Sequence, residues 1–288
     1  MTKRHAKLCI CIRCHKYPEF VLDEVDSVFC HSTTMPHVMI ALDRGPYNDT
    51  ADQDAVAKLV TKHYPQVHVY RSPRQWGWGA GMYGLLCEAI DWAQEHLSFD
   101  HFLSLDYDAL FIGDGADASI IEDAEMGTIG LVGTVTPIGK TWGQIFVKKW
   151  QQIMEMTGGR KPENERWAKR CVYGAVMCLP KRALKKLREL GYFEQPFRDT
   201  RKTIRISDDP WLTFLVLCAG LKVKDNKDYC YNVWKTPEDY RLKLHRQPWL
   251  KIWHPAKMGP GGRPTDMAAE TLCRNFFRRR RHRKALVL

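Results

Sequence analysis

HFLSLDYDALFIGD, residues 101–114, sets two acids into an otherwise apolar run. Phe102, Leu103, Leu105, Leu110, Phe111 and Ile112 are core-forming residues, yet Asp106 and Asp108 stand among them with only Tyr107 between. In extended backbone, residues two apart point to the same side, with alpha carbons roughly 6.5–7 Å apart. Two carboxylates so placed can share a hard divalent cation whose shell phosphate oxygens complete. The plainer explanation is an edge-strand terminus with two solvated acids. An isolated D-x-D triplet is common by chance, so its surroundings must decide.

Those surroundings alternate strand and helix. Residues 7–13 (KLCICIR) read as a strand, and residues 19–29 as a helix with Val21, Val25, Val28 and Phe29 towards one face. His37–Leu42 is a second strand. Thr50 and Gln53 have capping-box spacing ahead of a helix carrying Val56, Leu59, Val60 and His63 on one side. Residues 67–70 form a third strand. Met82, Leu85, Leu86, Ala89, Ile90 and Ala93 make the apolar stripe of a third helix, and residues 102–105 a fourth strand. Three strand–helix units and a fourth strand predict an α/β fold, a mostly parallel central sheet flanked by helices. Ligands bind such sheets at the carboxyl ends of the strands. Asp43 ends the second strand and Asp106 and Asp108 end the fourth, so all three are expected on one crevice.

The second half is more mixed. Residues 127–135 (GTIGLVGTV) and 172–179 (VYGAVMCL) read as strands. Residues 181–190 form a helix ended by Gly191, and residues 210–219 another ended by Gly220, with a strand at 221–223. Asp208 and Asp209 immediately precede Pro210, which suits a first helical turn. No repeat or low-complexity linker marks a boundary. One domain is expected over residues 1–273, with a basic tail at 274–288; the family resemblance given below implies a nucleotide-binding half at about 1–115 and an acceptor half at about 116–273.

That tail dominates the charge. Residues 274–284 (RNFFRRRRHRK) hold seven basic groups, without which the net charge of +11 falls to +4. Such a segment takes any polyanion, nucleic acid or anionic membrane alike, and no specific nucleic acid is predicted. Phe276 and Phe277 favour a membrane surface; a solvated tail is the bland alternative. The chain lacks an 18-residue apolar run, and MTKRHAKLCICIRCHK has no cleavable leader pattern. The expectation is a cytoplasmic protein, with the tail as a peripheral membrane contact. The ten cysteines are scattered through apolar stretches, and the Cys11-x-x-Cys14 pair has no second pair at zinc-site spacing. Reduced, buried thiols are expected.

Two common nucleotide folds lose their sequence support. R-C-H-K-Y-P stands where a dinucleotide-binding G-x-G-x-x-G would follow the first strand, and no G-x-x-x-x-G-K-[ST] occurs. Residues 76–81 (WGWGAG) offer another ligand loop, in which Gly79 permits close approach and Trp76 and Trp78 could cover a base or sugar. A tight turn with two packed indoles explains them equally well. Of Asp208 and Asp209, one can cap the following helix. The other can serve as general base for an acceptor hydroxyl. Asp209 is assigned as base with Asp208 in support, an assignment open to exchange. His254, in KIWHPAK (residues 251–257), offers a nitrogen ligand to the same cation, or is simply a satisfied or surface histidine.

In this order the features resemble sugar-nucleotide glycosyltransferases of the GT-A fold, and the pattern is similar to that of inverting family-2-like enzymes. VMIALD ends in Asp43, to which the resemblance gives recognition of the nucleotide base or ribose. LSLDYDALF is similar to the family's metal-binding region, implying Asp108 as direct metal ligand and Asp106 nearer the ribose or metal-bound water. YGAVMCLPKRALKKLRELGYFEQPF resembles the acceptor-side segment, with Gly174 and Ala175 on the floor near the transferred sugar. SDDPWLTFLVLCAGLKV is similar to the segment whose second acid, here Asp209, is the base. The resemblance covers about residues 7–225. It departs at SPRQWGWGAG, where an asparagine–glycine feature is usual, and in lacking Q-x-x-R-W, which argues against a processive polysaccharide synthase. It implies Mn2+ or Mg2+, a nucleotide-diphospho-sugar donor, a glycan, lipid or small-molecule acceptor, and transfer with inversion. A nucleotidyltransferase using paired carboxylates and a non-enzymatic polyanion binder are the competing readings.

Overall fold

The computed structural model describes residues 5–14, 16–44, 50–77, 79–138, 140–163, 170–201, 203–231, 244–254, 274–279 and 281. The first half follows the expected alternation: β1 (His5–Cys14), α1 (Pro18–His31), β2 (His37–Leu42), α2 (Ala51–His63), β3 (His68–Arg71), α3 (Met82–His96) and β4 (Ser98–Asp106). Then come β5 (Leu110–Phe111), α4 (Ala116–Glu125), β6 (Ile129–Gly133), β7 (Val135–Pro137), α5 (Lys140–Lys148), α6 (Trp150–Met156) and β8 (Arg170–Val172). The remaining elements are β9 (Val176–Pro180), α7 (Lys181–Glu189), α8 (Asp208–Cys218), β10 (Lys222–Asp225), β11 (Tyr229–Tyr231) and β12 (Ile252–His254).

A seven-stranded sheet in the order β10-β6-β9-β4-β1-β2-β3 forms the centre. All its neighbours are parallel except β9, which runs antiparallel to both β4 and β6. Side-chain alternation sorts the core into two layers. Leu8, Ile10, Ile12, Ile40 and Leu105 pack with Val21, Val25, Val56 and Ile120 from α1, α2 and α4. Cys9, Cys11, Met39 and Phe102 pack with Leu85, Leu86, Leu184 and Leu212 from α3, α7 and α8 on the opposite face. The strand cysteines thus fill the core as small apolar groups, and no disulfide joins the described ones.

Four expectations need correction. Thr50 precedes α2 but makes no side-chain cap bond. Gln53 instead turns inward and donates to the Leu42 carbonyl at 3.0 Å, which ties α2 to the end of β2. The run expected as one strand over 172–179 breaks into β8 and β9, because residues 173–175 turn beneath the carboxylates of α8. The run over 127–135 likewise divides into β6 and β7, and β7 leaves the main sheet to pair with β8. Finally, the described part of the tail is docked. Arg274, Phe277 and Arg281 are buried, and both arginines pair with the buried carboxylate of Asp23 on α1. A buried acid on α1 therefore recruits guanidinium groups that sequence alone assigns to solvent or membrane. Residues 280 and 282–288 of that segment lie outside the described residues, as does Trp78.

Candidate active site

Register builds the site. β1 and β4 are parallel neighbours with Arg13 directly opposite Asp106, so the carboxyl ends of both strands meet at one edge. β2 ends on the same side, where the Asp43 N–H donates to the Cys14 carbonyl. β9 approaches β4 from the other flank, and the Asp106 N–H donates to the Ala175 carbonyl at 3.0 Å. α8 then points its first turn at this junction.

Arg13 is the residue that sequence reasoning missed. Its side chain is 1% exposed. One guanidinium nitrogen donates to Asp208 at 2.5 Å, and the other to Asp106 and the Gly174 carbonyl at 2.8 Å each. Burial works against its charge, but the Asp208 and Asp106 carboxylates hold its pKa above the ordinary arginine value. The available signal was a charged residue closing the apolar run KLCICIR.

The first turn of α8 distinguishes its two acids. Ser207 occupies the cap position, so Asp208 and Asp209 lie inside the helix rather than ahead of it. Asp208 is buried against Arg13. Asp209 is part-buried, and its Oδ1 is shielded from water with no hydrogen-bond partner among the described residues. Burial pushes the Asp209 carboxyl up to about 7, and the adjacent Asp208 carboxylate adds to the rise. Gly174 closes the floor beneath them: a Cβ there would stand 3.2 Å from the Asp209 Cβ. A small cleft joins Gly79, Asp106, Gly174, Ala175, Asp208 and Asp209.

Asp108 and His254 face each other across this edge, with His254 Nε2 3.1 Å from Asp108 Oδ1. Both residues are buried. Asp106, Asp108 and His254 each offer one ligand atom, and the three atoms lie within 4.8 Å of one another. Burial raises the Asp106 carboxyl to about 6, against the opposing pull of Arg13. Arg13 pairs with Asp106 and Asp208, and Asp108 and Asp209 add two further carboxyl groups to the same edge. Two carboxylates and an imidazole with this charge excess fit a divalent cation of the Mg2+ or Mn2+ kind.

The donor-side residues are placed differently. Asp43 is buried and staples the loop after β3: its carboxylate accepts the Trp76 and Gly77 N–H groups at 2.8 Å each. Trp76 is not a cover for a base. Its indole is 1% exposed, packs against α3 where Gly84 leaves room, and carries the Arg201 guanidinium over its ring. Arg201 also donates to the Gln75 and Trp76 carbonyls, so acid and base clamp the loop from two sides. Gly79, by contrast, reaches the cleft.

The architecture is the GT-A fold of nucleotide-diphospho-sugar transferases. Among solved structures, the chain is similar to a mannosyltransferase from Pyrobaculum calidifontis in complex with GDP-Man and Mn2+, at 12% identity and a TM-score of 0.50, over 86% of this chain and 62% of that one. It is also similar to the galactosyltransferase LgtC with donor and acceptor sugar analogues (13% identity, TM-score 0.47, 94% and 95% of the two chains). Mouse xyloside xylosyltransferase 1 is another similar structure (10% identity, TM-score 0.46, 87% and 97%). The chain therefore spans less than two thirds of the length of the mannosyltransferase. No family model and no curated protein matches the sequence.

Proposed function

We propose that this chain transfers a sugar from a nucleotide-diphosphate donor to an acceptor hydroxyl with inversion, using a divalent metal held by Asp106, Asp108 and His254. The observation that carries it is the pairing of Arg13 with Asp208, beside which Asp209 lines a cleft shared with Asp106. When bound, Mn2+ or Mg2+ would neutralise the diphosphate leaving group. The GDP-Man and Mn2+ bound to the Pyrobaculum mannosyltransferase belong to the same donor and metal classes.

The chain's own residues supply the rest. The Asp209 carboxylate, at the cleft, accepts the acceptor's hydroxyl proton as that oxygen bonds to the anomeric carbon. The bond from that carbon to the diphosphate oxygen breaks, and its electrons leave with the nucleoside diphosphate. Arg13 holds Asp208 and Asp106 apart from this proton transfer. Gly174, lacking a side chain, lets the sugar approach the base. Gly79 offers a close backbone approach on the donor side, and Asp43 acts there through the loop it anchors.

Nucleotide sugars incubated with Mn2+ or Mg2+ and candidate acceptors provide the test. Acceptor-dependent release of nucleoside diphosphate is expected, with Asp108→Ala reducing turnover by more than about 100-fold. Pyrophosphate released in a parallel incubation with nucleoside triphosphates and sugar phosphates, without nucleoside diphosphate from the sugar nucleotides, would identify nucleotidyl transfer instead. Turnover unaffected by a chelator would overturn the metal assignment.

A further inference from the structure

We infer that the C-terminal helix carrying Arg274 and Phe277 positions the metal ligands, and that Arg274 is its principal positioning residue. The inference rests on the metal site proposed above. Asp106 ends β4 in register with Arg13, but the other two ligands come from segments that regular pairing holds weakly. Tyr107 and Asp108 lie in the turn after β4. His254 closes β12, a three-residue strand whose partners are β11 and the two-residue β5.

The helix reaches both segments. One terminal nitrogen of Arg274 donates to the carbonyl of Tyr107, between the two ligand acids, at 3.2 Å. The other donates to the Phe20 carbonyl at 3.2 Å and to Asp23 at 3.1 Å. The guanidinium also lies 4.3 Å from the centroid of the Phe20 ring. Three residues later, Phe277 packs on Trp253, immediately before His254, with ring centroids 5.4 Å apart. Residues three apart share a helix face. One face thus fixes the turn that carries Asp108 and the strand that carries the imidazole. Arg278 is exposed but still reaches Asp23 at 3.4 Å, whereas Arg279 is exposed to solvent on another side of the helix.

The chemistry of the anchor explains why arginine stands at 274. A rigid planar fork can bond a carboxylate and two carbonyls in fixed directions at once. Lysine would keep the positive charge beside Asp23 but present a single nitrogen, so Tyr107 would lose its fixed carbonyl contact. A ligand turn released in this way has to be ordered when metal binds, which weakens affinity as loss of other supporting contacts does.

The test is a Mn2+ titration of the full chain, read from the electron paramagnetic resonance signal of free Mn2+, without donor or acceptor. Arg274→Lys is expected to bind Mn2+ about 10–100-fold more weakly than wild type. The Arg279→Ala variant, which removes an exposed charge of the same helix, is expected to bind as wild type. Cooperative melting in metal-free buffer establishes that each variant is folded. Should Arg274→Lys fail to fold, Phe277→Leu, which keeps apolar volume but removes the ring against Trp253, is read by the same titration and is expected to weaken binding. Wild-type affinity in the folded Arg274→Lys variant, or in Phe277→Leu where that variant is used, overturns the inference. If the wild-type chain itself binds neither Mn2+ nor Mg2+, the metal reading of the site falls instead.

Discussion

Asp209 keeps one carboxylate oxygen out of water and without a hydrogen-bond partner among the described residues, while Asp208 beside it is ion-paired with Arg13. With its pKa raised to about 7, Asp209 becomes competent as a base over the neutral range. Turnover should rise as pH increases through about 7 and then level. Asp209→Asn should lower turnover by about 10²–10⁴-fold with donor affinity retained. The same shift has a consequence for stability. An aspartate in the unfolded chain titrates near 3.9, so its folded pKa is raised. Stability is therefore fully present below about 4 and is lost as pH rises to about 7. Asp209→Asn should melt at a higher temperature than wild type at pH 8, with the gap closing towards pH 4. Arg13→Met poses the opposite problem, because it leaves buried carboxylates without their cation. It should cost about 3–5 kcal/mol in a denaturant titration; an unchanged midpoint would mean that Arg13 does not hold the acids. The acids themselves were legible from their spacing and strand positions. Arg13 was not, because its register with Asp106 requires knowing that β1 lies beside β4, and Asp208 lies 195 residues along the chain.

The loop after β3 and helix α3 behave as one unit. A Cβ on Gly84 would stand 2.2 Å from ring carbons of Trp76, whose indole is backed by Arg201. The indole has nowhere to retreat, so Gly84→Ala should destabilise the protein by about 1–3 kcal/mol, measured by urea unfolding. A fully stable variant would show that Trp76 is not seated there. Periodicity found α3 because its stripe is long, and it found β1, β2 and β4 because interior parallel strands are apolar on both faces. It misjudged residues 172–179 because a short apolar run reads alike whether or not a turn interrupts it. The interruption, at Gly174 and Ala175, serves the cleft rather than the sheet. Among the described residues of WGWGAG, Gly79 lines the cleft, whereas at Trp76 burial against α3 prevails, and nothing in the sequence foretells it.

The expected division near residue 115 cuts through the sheet. β9, from the second half, pairs along β4 from residue 101 to residue 105 and separates it from β6. A fragment of residues 1–115 would expose β4 as a long apolar edge. It should aggregate or elute as large oligomers in size-exclusion chromatography, whereas a well-behaved monomer would show the halves to be separable. No helix among the described residues is long and apolar enough to cross a membrane. The basic C-terminal run looked like a membrane contact because charge density is visible in sequence, whereas the buried Asp23 that claims Arg274 and Arg281 is not.

The Arg13 bridge also bears on how the chain is made. Synthesis at roughly 5–20 residues per second puts about 10–40 s between the emergence of Arg13 and that of its partner 195 residues later. For the later part of that interval the guanidinium has Asp106, 93 residues along, but no Asp208 to complete its pairing. Closing so long a loop is the slow kind of contact in folding. The parallel strands β1–β4 can therefore associate well before the proposed active site closes, and lesions at Arg13 or Asp208 should leave nascent chains partly assembled, a state that cellular quality control would meet before any substrate does.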